Sequence, residues 1–152
     1  MSFATKLYYI SNTLYRKHIP LLPRFFCWCN RVICSCDIPP QTSIGKGLSL
    51  PHNGLGVVIS AKAVIGNNCK ILQQVTIGGR GNHGTPKIGN NVLIGAKASI
   101  MGGVCVGDNV QIGAHSLVLC DVPSNTTAIG IPAKIIKTNE CSKRRCCFCM
   151  HA

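Results

Sequence analysis

His52 and Asp37 are residue types that together can remove a proton from a hydroxyl group, and they stand fifteen positions apart. An imidazole accepts a proton near neutral pH, and a carboxylate bonded to its other ring nitrogen holds the tautomer that acts as a general base. Asp37 is one of only four acidic residues in the chain. The pair predicts a general base if the fold brings the two side chains together; otherwise His52 is a solvated loop residue.

A six-residue repeat provides the scaffold that would position this pair. Aliphatic residues return every six positions in three runs, from Ile38 to Leu50, from Ile59 to Ile77 and from Ile88 to Val118, and glycine often follows them. Six is an even number, so a strand could place all these side chains on one face, but no ordinary strand lasts forty residues. The repeat therefore predicts a mainly β fold, a solenoid of strands of about five residues with glycine, asparagine and aspartate at its corners.

The repeat is interrupted twice, and each interruption contains one histidine. Leu50 and Ile59 are nine positions apart, with His52 between them, and Ile77 and Ile88 are eleven apart, enclosing "GGRGNHGTPK" with His83. Insertions in a solenoid are extruded as loops, where functional residues concentrate. If three hexads form one coil, fifteen residues is nearly one circuit, which predicts Asp37 and His52 at the same corner of adjacent coils.

The chain is strongly basic, with a formal net charge of +12 that is concentrated at its two ends. Such a balance is compatible with nucleic acid, an anionic membrane surface or a polyphosphate ligand. The repeats contain neither bases interleaved with aromatic residues nor a zinc-finger or RNA-recognition signature, which argues against a nucleic-acid partner.

The first 36 residues differ from the repeats and predict a helical arm. Phe3, Leu7, Ile10 and Leu14 have helical spacing before Pro20, and a second helix is predicted from Pro23 to about Cys34. Covering the first coil is one role for the arm, because solenoids need caps. Peripheral contact with a membrane surface is the other, through its basic residues and the aromatic residues Phe25, Phe26 and Trp28.

Eleven cysteines raise the questions of secretion, membrane insertion and metal binding. The first residues do not have the pattern of a signal peptide, and the apolar tract "FFCWCNRVICSC" falls short of the ~20 residues of a spanning helix. We therefore expect a cytoplasmic protein with reduced thiols. The basic tail from residue 138 to 152 contains five possible ligands, but their spacing matches no tetrahedral zinc pattern, and we expect no metal. They are Cys141, Cys146, Cys147, Cys149 and His151.

The region from residue 37 to 137 resembles the hexapeptide-repeat acyltransferases, and most closely the serine O-acetyltransferase family. The resemblance lies in "DIPPQTSIGKGLSLPHNGLGVVIS", "ILQQVTIGGRG", "PKIGNNVLIGAKASIMGG" and "GIPAKIIK". It implies a single-stranded left-handed parallel β-helix, a homotrimer with active sites between subunits, and acetyl-CoA as the acetyl donor. The implied reaction is acetylation of L-serine to O-acetylserine, a step of cysteine biosynthesis, and the family requires no metal.

The resemblance also implies roles for individual residues. His52 matches the catalytic base and Asp37 its orienting carboxylate, while the backbone N–H groups of Gly78 and Gly79 are candidates to stabilise the oxyanion. The remaining candidates match the acetyl-CoA site: the "IGA" turns along the pantetheine arm and the basic residues near the nucleotide phosphates. These are Ala96, Ala114, Lys134 and Lys137.

Several departures from the family pattern leave the acceptor open. Pro51 and Thr85 stand where the family carries an aspartate and a histidine, with His83 two residues before Thr85. The arm replaces the large N-terminal helical domain that contributes to serine recognition and pairs trimers. The chain ends "CMHA" rather than in the isoleucine that docks into the partner sulfhydrylase, so we expect no cysteine synthase complex.

Two alternatives follow. One is an O-acetyltransferase acting on a sugar of a surface polysaccharide, with His83 as the rival base in the second loop. The other is a non-catalytic trimeric scaffold or binding module, in which the loops carry no chemistry.

Overall fold

The computed structural model describes residues 1–137, and the basic cysteine-rich tail predicted at residues 138–152 lies outside the described residues. Two helices form the arm, α1 (Phe3–Arg16) and α2 (Leu22–Cys34). Ser2 caps α1 by accepting the Thr5 N–H at 3.3 Å, and α2 ends at Ser35 in the left-handed conformation. Neither helix is long and apolar enough to span a membrane.

Very short parallel strands follow the arm, and corners separate them. They are β1 (Ser43–Ile44), β2 (Val58–Ile59), β3 (Val64–Ile65), β4 (Lys70–Ile71), β5 (Thr76–Gly78), β6 (Lys87–Ile88), β7 (Leu93–Ile94), β8 (Ser99–Met101), β9 (Cys105–Val106), β10 (Gln111–Ile112), β11 (Leu117–Val118), β12 (Thr126–Ile129) and β13 (Lys134–Lys137). They are shorter than the five residues that the repeat predicted, because corner turns occupy most of each hexad.

The strands stack into three sheets, which form the three sides of a β-helix. Sheet A consists of β2, β5, β8 and β11, sheet B of β1, β3, β6 and β9, and sheet C of β4, β7, β10, β12 and β13. Ser99 of β8 pairs with Leu117 of β11, eighteen positions further on, so an uninterrupted coil is three hexads. Among the strands of residues 1–137, only β13 runs antiparallel, against β12.

The aliphatic residue of each hexad points into the β-helix and forms its core. Ile59, Ile77 and Ile100 stack in sheet A, and each is at least 98% buried. A column of like side chains on adjacent coils packs without gaps, and each buried aliphatic side chain contributes roughly 1.5–3 kcal/mol of transfer free energy.

Polar side chains stack along the corner that leads from sheet B to sheet C. Asn67 Nδ2 donates to Asn90 Oδ1 at 3.1 Å, and Asn90 Nδ2 donates to Asp108 Oδ1 at 3.0 Å. The same oxygens accept the backbone N–H groups of Asn67 and Asn90, which the turns leave without a strand partner. This ladder fixes the register of adjacent coils.

Helix α1 packs on the first coil through buried hydrogen bonds. The Tyr8 hydroxyl donates to the Thr42 carbonyl oxygen at 2.7 Å, and Asn12 Nδ2 donates to the Pro40 carbonyl oxygen at 2.8 Å. Burial raises the pKa of Tyr8 to about 12. The arm therefore covers the open end of the solenoid, the capping position expected of it.

Candidate functional site

The loop that carries His52 leaves the solenoid at the corner from sheet C to sheet A, here called the C–A corner. Loop 1 spans residues 51–57, and it begins with a short 3-10 turn, Pro51–Gly54. His52 and Asn53 both adopt positive φ angles of 54°, and His52 is exposed to solvent. The left-handed turn makes the chain reverse here and leaves the imidazole outside the core.

Loop 1 is held by the arm on one side and by the next coil on the other. The Phe3 N–H at the start of α1 donates to Asn53 Oδ1 at 3.1 Å, and the Gln74 N–H donates to the Leu55 carbonyl oxygen at 2.8 Å. Gly54 has a φ of +64°, and a Cβ there would lie 3.0 Å from Cys36 Sγ. Only glycine fits this position without strain, so the histidine stands on a constrained turn.

Asp37 lies where the first coil enters sheet A, beside the end of loop 1. Its backbone forms a parallel bridge with Val58, and its N–H donates to the Val57 carbonyl oxygen at 2.8 Å. The two candidate residues therefore flank the C–A corner on adjacent coils. Within residues 1–137, however, no hydrogen bond or ion pair joins Asp37 to His52.

The carboxylate of Asp37 instead contacts an arginine of the arm. Arg31 Nη2 lies 3.3 Å from Asp37 Oδ2, with the arginine side chain 68% and the aspartate side chain 29% exposed. Sequence reasoning missed Arg31 as a neighbour of the candidate site. The signal was its place six residues before Asp37 on the predicted second helix, but the sequence did not show which side of that helix faces the coil.

Turns from three further coils continue the C–A corner below loop 1. Gln73 and Gln74 form the next turn, then Ala96 and Lys97, then Ala114 and His115. The Lys97 N–H donates to the Gln73 carbonyl oxygen at 3.0 Å, and the His115 N–H donates to the Ala96 carbonyl oxygen at 2.8 Å.

The lower turns of this corner each combine a small residue with an exposed longer one, Ala96 with Lys97 and Ala114 with His115. Ala96 and Ala114 are half-buried, and a Cβ at Gly95 would collide with the backbone of Ala114. Because adjacent coils are about 4.8 Å apart, three steps from loop 1 span roughly 14 Å. A strip of this length, bordered by the exposed side chains of Lys97 and His115, is long enough for an extended ligand.

The lysine candidates lie at the far end of the solenoid. Lys134 is exposed and begins β13, where it pairs with Ile129, and Lys137 ends that strand opposite Thr126. The turn from Gly130 to Ala133 joins β12 to β13 within sheet C, and the Ala133 N–H donates to the Leu117 carbonyl oxygen of β11 at 2.7 Å. An exposed cation at this end fits an anionic end of the same extended ligand.

The second loop leaves the solenoid at a different corner, between sheets A and B. Loop 2 spans residues 79–86, after Gly78 ends β5 and before β6 begins. His83 is exposed in it and lines a cleft of about 640 Å³ together with Arg80, Met101 and Asp121. Thr85 is not directed into this cleft, because its hydroxyl donates to the Lys62 carbonyl oxygen at 3.0 Å.

The two glycine candidates at the start of loop 2 differ in their hydrogen bonding. Gly78 is part of β5, in register with Met101. The N–H of Gly79 donates to no acceptor in the part of the chain that the structure describes. Gly79 is therefore the better placed of the two to donate to a ligand.

One chain does not bring all the candidates together. Loop 1 enters sheet A and loop 2 leaves it, so His52 and His83 lie at opposite edges of that sheet. Ala96 and Ala114 share the corner of His52, whereas Gly78 and Gly79 share the corner of His83. A single site that uses both groups needs two copies of the chain.

Comparison with known proteins agrees with this fold and these motifs. The family model described as "Bacterial transferase hexapeptide (six repeats)" matches residues 85–120, and with the three-sided β-helix it indicates the class of hexapeptide-repeat transferases. A soybean serine acetyltransferase structure complexed with serine superposes with a TM-score of 0.81 at 41% identity, over 88% of this chain and 56% of that one. A Brucella abortus serine acetyltransferase in complex with coenzyme A gives 0.83 at 37% identity, over 88% and 54%. A superposition this close preserves handedness, so the β-helix is left-handed.

Sequence relatives narrow the class to one family. The serine acetyltransferase of Helicobacter pylori is 39% identical over 132 residues, which are 85% of this chain and 77% of the relative. That of Synechococcus elongatus is 40% identical over 130 residues, 84% of this chain and 53% of the relative. The chain belongs to the serine acetyltransferase family, and it spans between about half and three quarters of the length of these two relatives.

Proposed function

We propose that this protein transfers an acetyl group from acetyl-CoA to the hydroxyl of L-serine, forming O-acetylserine and CoA. The observation that carries the proposal is the similarity to the soybean structure complexed with serine, which covers 88% of the chain at 41% identity. The similarity to a structure in complex with coenzyme A supports the donor. The family connects this reaction with cysteine biosynthesis.

The C–A corner is the proposed groove for acetyl-CoA. The pantetheine arm would lie along Ala96 and Ala114, with the thioester near loop 1. Lys134 would contact the nucleotide phosphates, because an ammonium group binds phosphate as a point charge. Lys137, at the other end of β13, is assigned to the same phosphates from the family resemblance.

In the proposed mechanism, His52 removes the proton from the acceptor hydroxyl as its oxygen attacks the thioester carbonyl carbon. The N–H of Gly79, with Gly78 beside it, donates to the carbonyl oxygen as negative charge develops there. When the carbon–sulfur bond breaks, the proton held on His52 passes to the departing thiolate. No net proton is gained or lost, and the reaction needs no metal.

Asp37 would orient His52 by accepting the proton of the ring nitrogen that does not face the acceptor. Asp37 contacts Arg31 rather than His52 within one chain. We propose that the arrangement changes when a second subunit and the substrates complete the site.

We propose a homotrimer with sites between subunits, which the family resemblance implies and the positions of the two loops support. His52 lies at one edge of sheet A, and Gly79 and His83 lie at the other. Rotation about a threefold axis places the C–A corner of one subunit against loop 2 of the next, and the contact repeats three times to close the ring. We propose such a trimer without a cysteine synthase complex, in the cytoplasm where acetyl-CoA is available.

A sugar hydroxyl is the second candidate acceptor. Pro51 and Thr85 replace the two polar side chains that the family resemblance places beside serine, and Thr85 is bonded to Lys62. In this alternative His83, which lines the large cleft of loop 2, is the rival base. The transfer chemistry is the same, and only the acceptor pocket differs.

The acceptor is tested by measuring release of CoA thiol from acetyl-CoA with L-serine and with a panel of sugars and nucleotide sugars. Turnover with serine supports the proposal. Turnover with sugars alone transfers the function to the second candidate. Calorimetric titration with acetyl-CoA tests the scaffold alternative separately, because a non-catalytic scaffold would bind no acetyl-CoA at millimolar concentration.

A further inference from the structure

Helix α2 exposes a broad apolar face that nothing in the described part of the chain covers. Leu21, Phe25, Trp28 and Val32 follow one another at intervals of four, three and four residues, so they share one side of the helix. Their exposed fractions are 78%, 55%, 60% and 60%. Leu22 and Ile33 widen the same face.

This face lies opposite the side of α2 that packs on α1, and Trp28 at its edge borders a cleft lined by Pro39 and Pro40 of the first coil. Pro23, Asn30 and Cys34 are its buried residues. The Ser11 hydroxyl donates to the Pro23 carbonyl oxygen at 2.7 Å, and Asn30 Nδ2 donates to the Ala4 carbonyl oxygen at 3.4 Å. The exposed apolar residues are therefore unnecessary for holding α2 to α1.

The turn before α2 also directs an apolar side chain outward. Leu21 has a φ of +66°, which a leucine adopts only at a cost, and no side chain caps the helix there. A polar residue or a glycine would meet the turn with less strain and less exposed apolar surface. The turn therefore holds Leu21, the most exposed side chain of the face, in an outward position.

The charge around the face is of one sign. Residues 1–36 contain five lysines and arginines and no aspartate or glutamate. Arg24 flanks the apolar face on α2, Arg16 and Lys17 lie at the end of α1, and all three are exposed. An aromatic and aliphatic helix face with a basic border and no acid is complementary to a surface of anionic headgroups over acyl chains.

We propose that the arm docks this protein on anionic membrane surfaces, with the apolar face of α2 inserted at the boundary between headgroups and acyl chains. Arg16, Lys17 and Arg24 contact the headgroups. A second copy of the chain is the competing occupant of the face, but like-charged arms repel each other, whereas anionic lipid attracts them. The proposal is independent of the acceptor and of the activity.

Trp28 makes the proposal directly measurable, because it is the only tryptophan of the chain. The full-length protein is mixed with vesicles of phosphatidylcholine alone and with vesicles that also contain phosphatidylglycerol. We expect sedimentation with the anionic vesicles, a blue shift of Trp28 emission and quenching by brominated acyl chains. Binding weakens as salt screens the headgroups.

Two variants and one control separate the contributions of the face. Phe25→Ser combined with Val32→Ser keeps Trp28 as reporter and is expected to lower the bound fraction by about tenfold or more. Arg24→Gln combined with Lys17→Gln removes the preference for anionic vesicles. Ile131→Ser, at a residue 72% exposed at the other end of the solenoid, leaves binding unchanged.

Three results would overturn the proposal. One is an unchanged Trp28 spectrum with no sedimentation at low salt. Another is equal binding to neutral and anionic vesicles. The third is a Phe25→Ser/Val32→Ser variant that changes the mass measured by analytical ultracentrifugation without lipid, which would assign the face to a second copy.

Discussion

His52 combines exposure with a constrained backbone, which is what a catalytic base on a rigid scaffold requires. The side chain is open to solvent, and its turn is fixed by Gly54, by Asn53 and by the next coil. Removing the imidazole therefore deletes a reactive group without removing any packing of the core.

His52→Ala is expected to lower kcat by about a hundredfold or more, because a general base contributes that order of rate. The melting temperature should stay within the error of the wild type, since the side chain is exposed. Steady-state release of CoA thiol and a thermal scan measure the two quantities. His18→Ala is the matched control, an exposed histidine of the arm with a φ of 56°. Wild-type kcat in His52→Ala would refute the assignment.

Asp37 forms an ion pair with Arg31 of the arm, and it is also the proposed orienting partner of His52. Substitutions on the two sides of the ion pair separate the structural role from the catalytic one. Asp37→Asn and Arg31→Gln both abolish the ion pair, which at this exposure contributes roughly 0.2–1 kcal/mol. We expect similar small losses of stability from both and a fall in kcat only for Asp37→Asn, because only the aspartate orients the base. Urea unfolding and initial rates provide the comparison. Equal kcat values in the two variants would leave Asp37 a purely structural partner of the arm.

The strands around the site are short, so their positions depend on contacts with neighbouring coils and with the arm. Each strand has two to four residues, and the strands are held by stacking between coils rather than by their own length. The arm adds a second level of anchoring, since α1 packs on the first coil through Tyr8 and reaches loop 1 through Phe3.

Tyr8→Phe is expected to destabilise the fold by about 1 kcal/mol, because the Thr42 carbonyl oxygen loses its 2.7 Å hydrogen bond and keeps only the longer one from Asn12 Nδ2 at 3.3 Å. The variant also changes the response to alkali. Burial raises the pKa of Tyr8 from 10.0 to about 12, so folding favours the neutral phenol. This stabilisation is complete below pH 10 and is lost as the pH rises through about 12.

Urea unfolding at a series of pH values measures both effects of the Tyr8 substitution. The difference in unfolding free energy between wild type and Tyr8→Phe should shrink as the pH rises above 10. Tyr15→Phe is the control, because that residue is exposed on the same helix. A difference that is constant with pH would mean that the Tyr8 hydroxyl is not buried in the folded state.

At the scale of the whole molecule, the separation of the two loops is the dominant fact. Sheet A lies between His52 on one edge and Gly79 on the other, so a chain by itself holds two incomplete halves of the proposed site. Catalysis therefore requires the proposed trimer, because only neighbouring subunits complete the site. The docked arm would hold that trimer against a membrane.

Mixing two inactive variants tests whether the site is shared. His52→Ala removes the base, and Gly79→Pro removes the backbone donor of loop 2. If each site takes loop 1 from one subunit and loop 2 from its neighbour, co-refolding equal amounts should restore about a quarter of wild-type activity. Each variant refolded alone is the control. No recovery, with mixed trimers demonstrated by mass, would place both groups in a site within one subunit.

The spacing of the aliphatic residues was enough to predict the β-helix, its inward aliphatic column and both loops. A hexad of aliphatic, glycine and small residues has one low-energy arrangement, and register pairs eighteen residues apart confirm three hexads per coil. It also indicated the helical arm, since spacings of three and four cannot continue the repeat.

Which side chains contact each other could not be predicted from the spacing, because it depends on how the arm packs on the coil. The sequence spacing of Asp37 and His52 indicated one corner, and the structure places them on both sides of it, but the carboxylate contacts Arg31. The contact between Arg31 and Asp37 depends on which side of α2 faces the coil once α2 has packed on α1. The spacing of residues within the arm does not predict that orientation. The assignment of the two loops to different edges of sheet A likewise required the order of the three sheets. A repeat determines the coil locally, whereas contacts between the coil and the arm depend on packing between segments distant in sequence.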